Sequence, residues 1–133
     1  MSNMWKYEIE RDQNTCRINL YPDVKDLRIG GYGYRDVIVY KGAPVSFKSI
    51  AENLMKINKI EYANLSIEED HLVLIVEVKG DFNCEDLIKE ILNRITDILI
   101  SAERDLTKLE EVMIESARRY AEKERMKKES KNV

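Results

Sequence analysis

Apolar and polar residues alternate along two stretches near the N-terminus. Trp5, Tyr7 and Ile9 are separated by charged residues, and the same period of two returns over residues 16–20. This period is typical of a strand with one buried face. Because the polar residues 11–14 lie between the two stretches, the pattern predicts an N-terminal hairpin within residues 1–23.

A second alternating pair lies in the middle of the chain. Ala63, Leu65 and Ile67 alternate with polar residues, whereas residues 72–79 carry apolar side chains on both faces. The polar residues 69–71 between them predict a tight turn. A strand that is apolar on both faces is typical of a sheet interior, so the second strand of this pair is predicted to be central.

Two other stretches have helical spacing. Ser46 is a candidate N-cap for a helix that ends near Asn58. A longer apolar pattern follows Asn83, with intervals of three and four residues that continue through Leu109 to Tyr120. An uninterrupted helix to about residue 128 would be roughly 65 Å long. The alternative is a break near residues 105–107, which the sequence favours slightly because Thr107 and Glu110 can form a capping box.

The remaining segment, residues 24–36, is rich in glycine and is predicted to be a loop. A short strand at Val37–Tyr40 follows it. Together these elements predict an α+β fold, with one antiparallel sheet of about five strands, two main helices on one face and a long C-terminal helical extension. The predicted domain covers residues 1–109, and the charged extension covers residues 110–133.

Composition limits where the protein works. The chain of 133 residues is 44% hydrophobic and 35% charged, with a net charge of −3. It has no apolar run near the roughly 20 residues that cross a membrane, and residues 1–12 do not resemble a secretory signal. A cytoplasmic location is therefore expected. Cys16 and Cys84 lack C-x-x-C spacing, and in a cytoplasmic chain this predicts two reduced, packed thiols.

Catalytic and metal-binding signals are weak. His71 is the one histidine, and it follows Glu68, Glu69 and Asp70 on the predicted hairpin tip. One imidazole beside carboxylates does not make a convergent ligand set, so a solvated turn is the simpler interpretation. The sequence predicts no catalytic residue, no metal and no cofactor.

Two segments are candidates for contact with RNA. The glycine-rich segment combines arginines, which attract phosphate, with tyrosines, which can stack on bases. The stretch 118–131 has seven basic residues against three acidic ones. The candidate residues are Arg28, Tyr32, Tyr34, Arg35, Arg118, Arg119, Lys127 and Lys128. The alternatives are a structural connection whose tyrosines pack, and a solvated helix end whose charges pair along the helix.

The long helix carries more apolar surface than one small sheet covers, so a protein partner is expected. Homodimers and heterodimers both remain open, and some of these positions can also belong to the core. The predicted interface residues are Ile91, Ile95, Ile98, Leu99, Ala102, Leu106 and Leu109.

The stretch from Val37 to Leu99 resembles the small dimerising subunit of the archaeal KEOPS complex, or a paralogue of it. Residues 65–74 are similar to the hairpin of that family, and Leu92–Ile95 lies where its helix carries a Leu-Arg-Trp-Ile type motif; Asn93 and Arg94 depart from it. The resemblance implies a non-catalytic accessory subunit that supports threonylcarbamoyladenosine modification of tRNA. Its implied partners are a related small subunit, larger members of the complex and tRNA.

A second resemblance is to the L subunit of archaeal RNA polymerase, carried by residues 54–64. In that family a His-Thr-Leu-Gly-Asn sequence enters the helix and a Pro-His-Pro sequence forms the hairpin, whereas this chain has residues 45–49 and 68–71 there. The element order is also similar to ferredoxin-like domains, which implies a ligand-binding or nucleic-acid-binding module as a further alternative.

Overall fold

The computed structural model describes residues 4–31, 33–80 and 83–131. These residues contain seven strands, arranged in two antiparallel sheets, and two helices. The α+β class is confirmed. The predicted single sheet of about five strands is wrong, because four strands form one sheet and three form another. In chain order the elements are β1 Trp5–Asp12, β2 Thr15–Pro22, β3 Leu27–Gly31, β4 Tyr34–Tyr40, β5 Ala43–Ser46, α1 Phe47–Leu54, β6 Ile60–Glu68, β7 His71–Val78 and α2 Cys84–Lys131.

The larger sheet has the strand order β1-β2-β7-β6. Both predicted hairpins are present, and β7 lies between β2 and β6 as its two apolar faces predicted. Val76 of β7 is paired with Cys16 on one side and with Ala63 on the other. This register places the alternating apolar residues of three strands on one face, where they are buried.

The smaller sheet has the order β3-β4-β5. It includes most of the segment predicted to be a loop, so that prediction is wrong for β3 and for the start of β4. Gly30 and Gly31 have positive φ angles, and the pairing of β3 with β4 shifts register there. A strand that ends in glycines at a bulge does not show the expected alternation. β4 turns into β5 through Lys41 and Gly42, both with positive φ, as a two-residue hairpin requires.

Helix α1 follows β5 directly and contacts β6. The Ser46 hydroxyl accepts a hydrogen bond from the Ser49 amide at 3.1 Å, so Ser46 is the N-cap, as predicted. The helix ends at Leu54, four residues before the predicted end. Its apolar side Phe47, Ile50, Ala51 and Leu54 is buried. β5 pairs with β4 within the smaller sheet.

Helix α2 begins after Asn83, whose side-chain oxygen accepts a hydrogen bond from the Glu85 amide at 3.1 Å. Glu85 and Asp86 lie in its first turn, where the helix dipole favours negative charge. The helix continues to Lys131 without the break near residues 105–107 that the sequence slightly favoured. The chain divides into two compact units, Met1–Glu103 and Arg104–Val133.

The core of the first unit contains a disulfide. Cys16 of β2 and Cys84 of α2 are bonded, their Cα atoms are 6.3 Å apart, and both residues are buried. The prediction of two reduced thiols is therefore wrong. The two cysteines are 68 residues apart in sequence, and the spacing rule used for the prediction detects only short motifs such as C-x-x-C.

Candidate functional site

The predicted interface residues divide between the core and the surface. Ile91, Ile95 and Leu99 are at most 1% exposed and belong to the hydrophobic core of the chain itself. Ile98 and Ala102 are partly buried against that core. Further along α2, Leu106 is partly exposed and Leu109 is 56% exposed. The surface open to a partner therefore lies in the later part of the predicted set.

Residues 104–131 of α2, called the tail helix here, carry a large share of the exposed apolar side chains. Each of the six side chains below is more than half exposed, although large apolar residues on a small protein are usually buried. Val112, Ile114 and Met126 were missed by the sequence analysis, because they fall outside the three-four spacing used to find the helix. The six are Leu109, Val112, Met113, Ile114, Tyr120 and Met126.

Basic residues of the tail helix pair with glutamates on the same helix. Glu115 lies 3.7 Å from Arg118 and 3.4 Å from Arg119, and Lys127 lies 3.7 Å from Glu124. These pairs are exposed and three or four residues apart, so each stabilises the helix by a few tenths of a kcal/mol at most. The four predicted RNA-contact residues here, Lys128 included, lie on one exposed helix.

The glycine-rich segment lines a groove of about 680 Å³. Arg28 and Arg35 border it together with Glu69 and Asp70 of the β6–β7 turn. The Arg28 guanidinium lies close to Gly31. A Cβ atom at position 31 would be 3.5 Å from Nη2 of Arg28, so the absence of a side chain at Gly31 leaves room for this arginine. Of the other two predicted RNA-contact residues in this segment, Tyr32 lies outside the described residues, and the Tyr34 side chain is not described.

A second groove, of about 860 Å³, lies between α1 and β6. Phe47, Ala51 and Met55 line it from the helix side, and Leu65 lines it from the strand. Arg35 belongs to both grooves. β6 is the edge of its sheet, so this groove borders a strand with one unpaired side.

His71 is less exposed than a solvated turn residue. Its side chain is 12% exposed, its ring stacks on Tyr21 with centroids 4.7 Å apart, and its Nδ1 lies 3.8 Å from the Asp70 carboxylate. The expectation of a solvated histidine is therefore wrong. Within residues 4–31, 33–80 and 83–131, no group of three or more potential ligands could hold a metal ion.

The same described ranges contain no helix that is long and apolar enough to cross a membrane.

Comparison with known proteins identifies an archaeal relative. An uncharacterized protein of Archaeoglobus fulgidus is 31% identical over 117 residues, which cover 88% of this chain and 92% of the relative. The chain belongs to the same family as this archaeal protein. No protein-family model matches this member of the family, and no solved structure matches it significantly.

Proposed function

We propose that the chain is an accessory subunit that acts by binding other protein subunits and carries out no chemistry of its own. The observation that carries this proposal is the exposed apolar surface of the tail helix, where Leu109, Met113 and Tyr120 are 56%, 62% and 68% exposed. Covering such side chains removes apolar area from water, which favours association by about 25 cal/mol per Å². A helix with an apolar face is a common docking element.

The finer proposal is that the assembly is the cytoplasmic KEOPS complex and that the chain supports threonylcarbamoyladenosine modification of tRNA. Its support is the resemblance of residues 65–74 and 92–95 to the small dimerising subunit of that complex. The order strand, helix, strand, strand, helix is present from β5 to α2. β5 belongs to the smaller sheet, and the position beside β7 is taken by β2 of the N-terminal hairpin.

Affinity purification of the tagged chain from its native host tests the finer proposal. We expect KEOPS subunits to co-purify, and we expect deletion of the gene to lower the threonylcarbamoyladenosine content of tRNA measured by mass spectrometry. Leu109→Glu should reduce the recovery of partners, whereas Lys108→Glu, one residue away on the same helix, should not. Recovery of RNA polymerase subunits alone would overturn the assignment to KEOPS and favour the L-subunit resemblance.

The two grooves favour a second candidate, a ligand-binding or nucleic-acid-binding module. They share Arg35, and the glycine-rich groove adds Arg28. A guanidinium group binds phosphate through paired hydrogen bonds, so these arginines suit a phosphate-bearing ligand. Glu69 and Asp70 on the same groove oppose an anion, which makes this candidate the weaker of the two.

A further inference from the structure

The backbone of the larger sheet has a fixed direction at its end. Neighbouring residues of an antiparallel strand direct their N–H and C=O groups alternately to the two sides of the strand. At the end of β7, the Val78 amide donates to the Asn14 carbonyl at 2.9 Å, on the β2 side. The Lys79 amide donates to the Lys59 carbonyl at 3.0 Å, on the β6 side. Even-numbered residues of β7 therefore bond towards β2, and odd-numbered residues bond towards β6.

This alternation determines which backbone groups of β6 face the open edge of the sheet. Asn64 and Ser66 lie opposite odd-numbered residues of β7, so their backbone groups bond to β7. The backbone groups of Leu65 and Ile67 therefore point away from β7. Among the residues that the structure describes, none forms a hydrogen bond with these outward groups. Ala63 is also directed outward but is only 3% exposed, so the open stretch lies beyond it.

The composition of β6 leaves this edge unprotected. Proteins commonly protect a free edge strand with charged residues or proline, which prevent the addition of another strand. β1, at the other edge of the same sheet, has five charged residues among its eight. Residues 63–67 of β6, which line the groove beside α1, include no charged residue and no proline. The sheet thus has one edge that opposes further strands and one edge that can accept a strand.

Helix α1 determines what kind of strand fits beside β6. Phe47 and Ala51 of α1 and its C-cap residue Met55 line the groove opposite the strand. The lining part of β6 is about 14 Å long at about 3.4 Å per residue, and the helix rises about 12 Å from Phe47 to Met55. An extended segment of about five residues matches this length. Its alternate side chains would pack on the apolar residues of the helix.

The charges of the groove favour a neutral segment. Two basic and two acidic residues line it, so their formal charges sum to zero. The Lys48 ammonium lies 3.9 Å from the Glu52 carboxylate, and the other two, Arg35 and Asp36, are neighbours in sequence. A nucleic acid binds through its phosphates to a surface of net positive charge. This groove instead offers unpaired backbone groups and apolar contact, which an uncharged peptide can use.

We propose that the groove between α1 and β6 binds an extended, uncharged segment of a partner protein, which adds to the larger sheet as a fifth strand antiparallel to β6. The outward groups of Leu65 and Ile67 bond to the backbone of the segment. In such strand addition, main-chain hydrogen bonds provide affinity and alternate side chains provide specificity. The residues that line the groove belong to the first unit, so this proposal does not depend on association through the tail helix.

Amide hydrogen exchange measured by NMR tests the direction of the backbone in the free protein. The Leu65 and Ile67 amides should exchange faster than those of Asn64 and Ser66, because the latter are bonded to β7. Slow exchange of the Leu65 and Ile67 amides in the monomeric protein would overturn the proposal, since it would show that this edge is already covered.

A displayed library of random peptides of about eight residues, selected on the full-length chain, tests the occupant. Selected peptides should have apolar residues at alternate positions and few charged residues. Adding one of them should slow the exchange of the Leu65 and Ile67 amides. The amides of Tyr7 and Ile9 are the control, because the register of β1 with β2 directs them to the other edge of the sheet. Their exchange should not change.

Two variants test the contacts. Ile67→Pro removes one outward amide and should raise the dissociation constant of a selected peptide at least about 3-fold. Met55→Glu places a charge against the apolar side of the peptide and should raise it at least about 10-fold. Met55 is 38% exposed in the free chain, so this variant should fold.

The matched controls make the same changes on β1. Ile9, like Ile67, is partly buried against the core, and Tyr7 is 42% exposed. Ile9→Pro and Tyr7→Glu should therefore leave the dissociation constant of the selected peptide unchanged. An equal loss of affinity in the variants of both edges would overturn the assignment of the peptide to β6.

Three further outcomes would overturn the proposal. The first is that no selected peptide protects the Leu65 and Ile67 amides, and the second is that a single-stranded RNA protects them. The third is a wild-type dimer in which these amides become protected as protein concentration rises, which would identify a second copy as the occupant. Leu109→Glu should leave peptide affinity unchanged, so failure of this proposal and failure of the proposed function are distinguishable.

Discussion

Tyr21 and His71 are adjacent on neighbouring strands, and their rings stack with centroids 4.7 Å apart. Tyr21 shares a face of β2 with Arg17, whose guanidinium forms an ion pair with Glu68 and lies 3.4 Å from the Asn19 side-chain oxygen. Three carboxylates are also near enough to act on Tyr21 electrostatically. The sequence shows His71 beside acidic residues and predicts solvation, because the strand that covers it is 50 residues away in the chain.

The Tyr21 hydroxyl provides a prediction about alkaline pH. Burial raises its pKa above the ordinary value of 10.0, and Glu8, Asp70 and Glu68 raise it further, whereas Arg17 lowers it. Above pH 10 the unfolded chain loses this proton while the folded chain keeps it, so folding becomes less favourable as pH rises towards the folded pKa. Tyr21→Phe should remove this part of the alkaline loss of stability.

Urea unfolding from about pH 8 to pH 11, with absorbance at 295 nm as a second signal, measures the effect. Tyr62→Phe is the matched control, because it removes the same group from a residue that is 45% exposed. The control should keep the alkaline loss of stability. An identical pH dependence for the wild type and Tyr21→Phe would contradict the assignment.

At the scale of elements, periodicity located the strands and helices that have one or two clearly apolar faces. β1, β2 and β6 alternate, β7 is apolar on both faces, and α2 has a continuous apolar stripe, so all five were predictable. β3 was not, because a strand that ends in Gly30 and Gly31 lacks the alternating side chains from which a strand is recognised. β5 was also missed, because it has only four residues, Ala43–Ser46, and follows the predicted strand Val37–Tyr40 after a two-residue turn.

The disulfide links an element of the sheet to the first turn of α2 and provides a second prediction. Closing a loop between residues 68 positions apart reduces the entropy of the unfolded chain, so reduction should lower the free energy of unfolding by about 2–4 kcal/mol. Urea unfolding with and without reductant measures the difference.

A double variant, Cys16→Ser with Cys84→Ser, is the control, and its unfolding midpoint should not respond to reductant. Counting thiols in the denatured protein without reductant should give none, because the chain has two cysteines and they are bonded to each other. Two reactive thiols in freshly purified protein would show that the bond is absent in solution.

At the scale of the whole molecule, the tail helix has a net positive charge and the rest of the chain has a net negative charge. If Arg118 and Arg119 contact RNA phosphates, replacing both with Glu should weaken RNA binding. It should also reduce the slope of log affinity against log salt concentration by about 1 to 2, since each phosphate contact on a single strand contributes about 0.7. Fluorescence anisotropy with a tRNA at several salt concentrations measures both quantities.

The matched control makes the same change of charge elsewhere. Lys25→Glu with Lys89→Glu alters two exposed lysines of the first unit that line neither groove, and should leave the salt slope unchanged. Arg35→Glu separates the tail helix from the two grooves, because it should weaken RNA binding only if RNA enters one of them. Wild-type protein that shows no binding at low salt would refute both RNA surfaces.

The sequence by itself determined the α+β class, the two alternating hairpins, the central position of β7 and the three-four spacing of α2. These depend on periodicity, which reports which side of an element is buried. Tertiary structure alone decided the division into two sheets, the Cys16–Cys84 bond, the cover over His71 and which apolar residues of α2 belong to the core. Each of these depends on contacts between residues distant in sequence, and a pattern along the chain does not specify which distant residues meet.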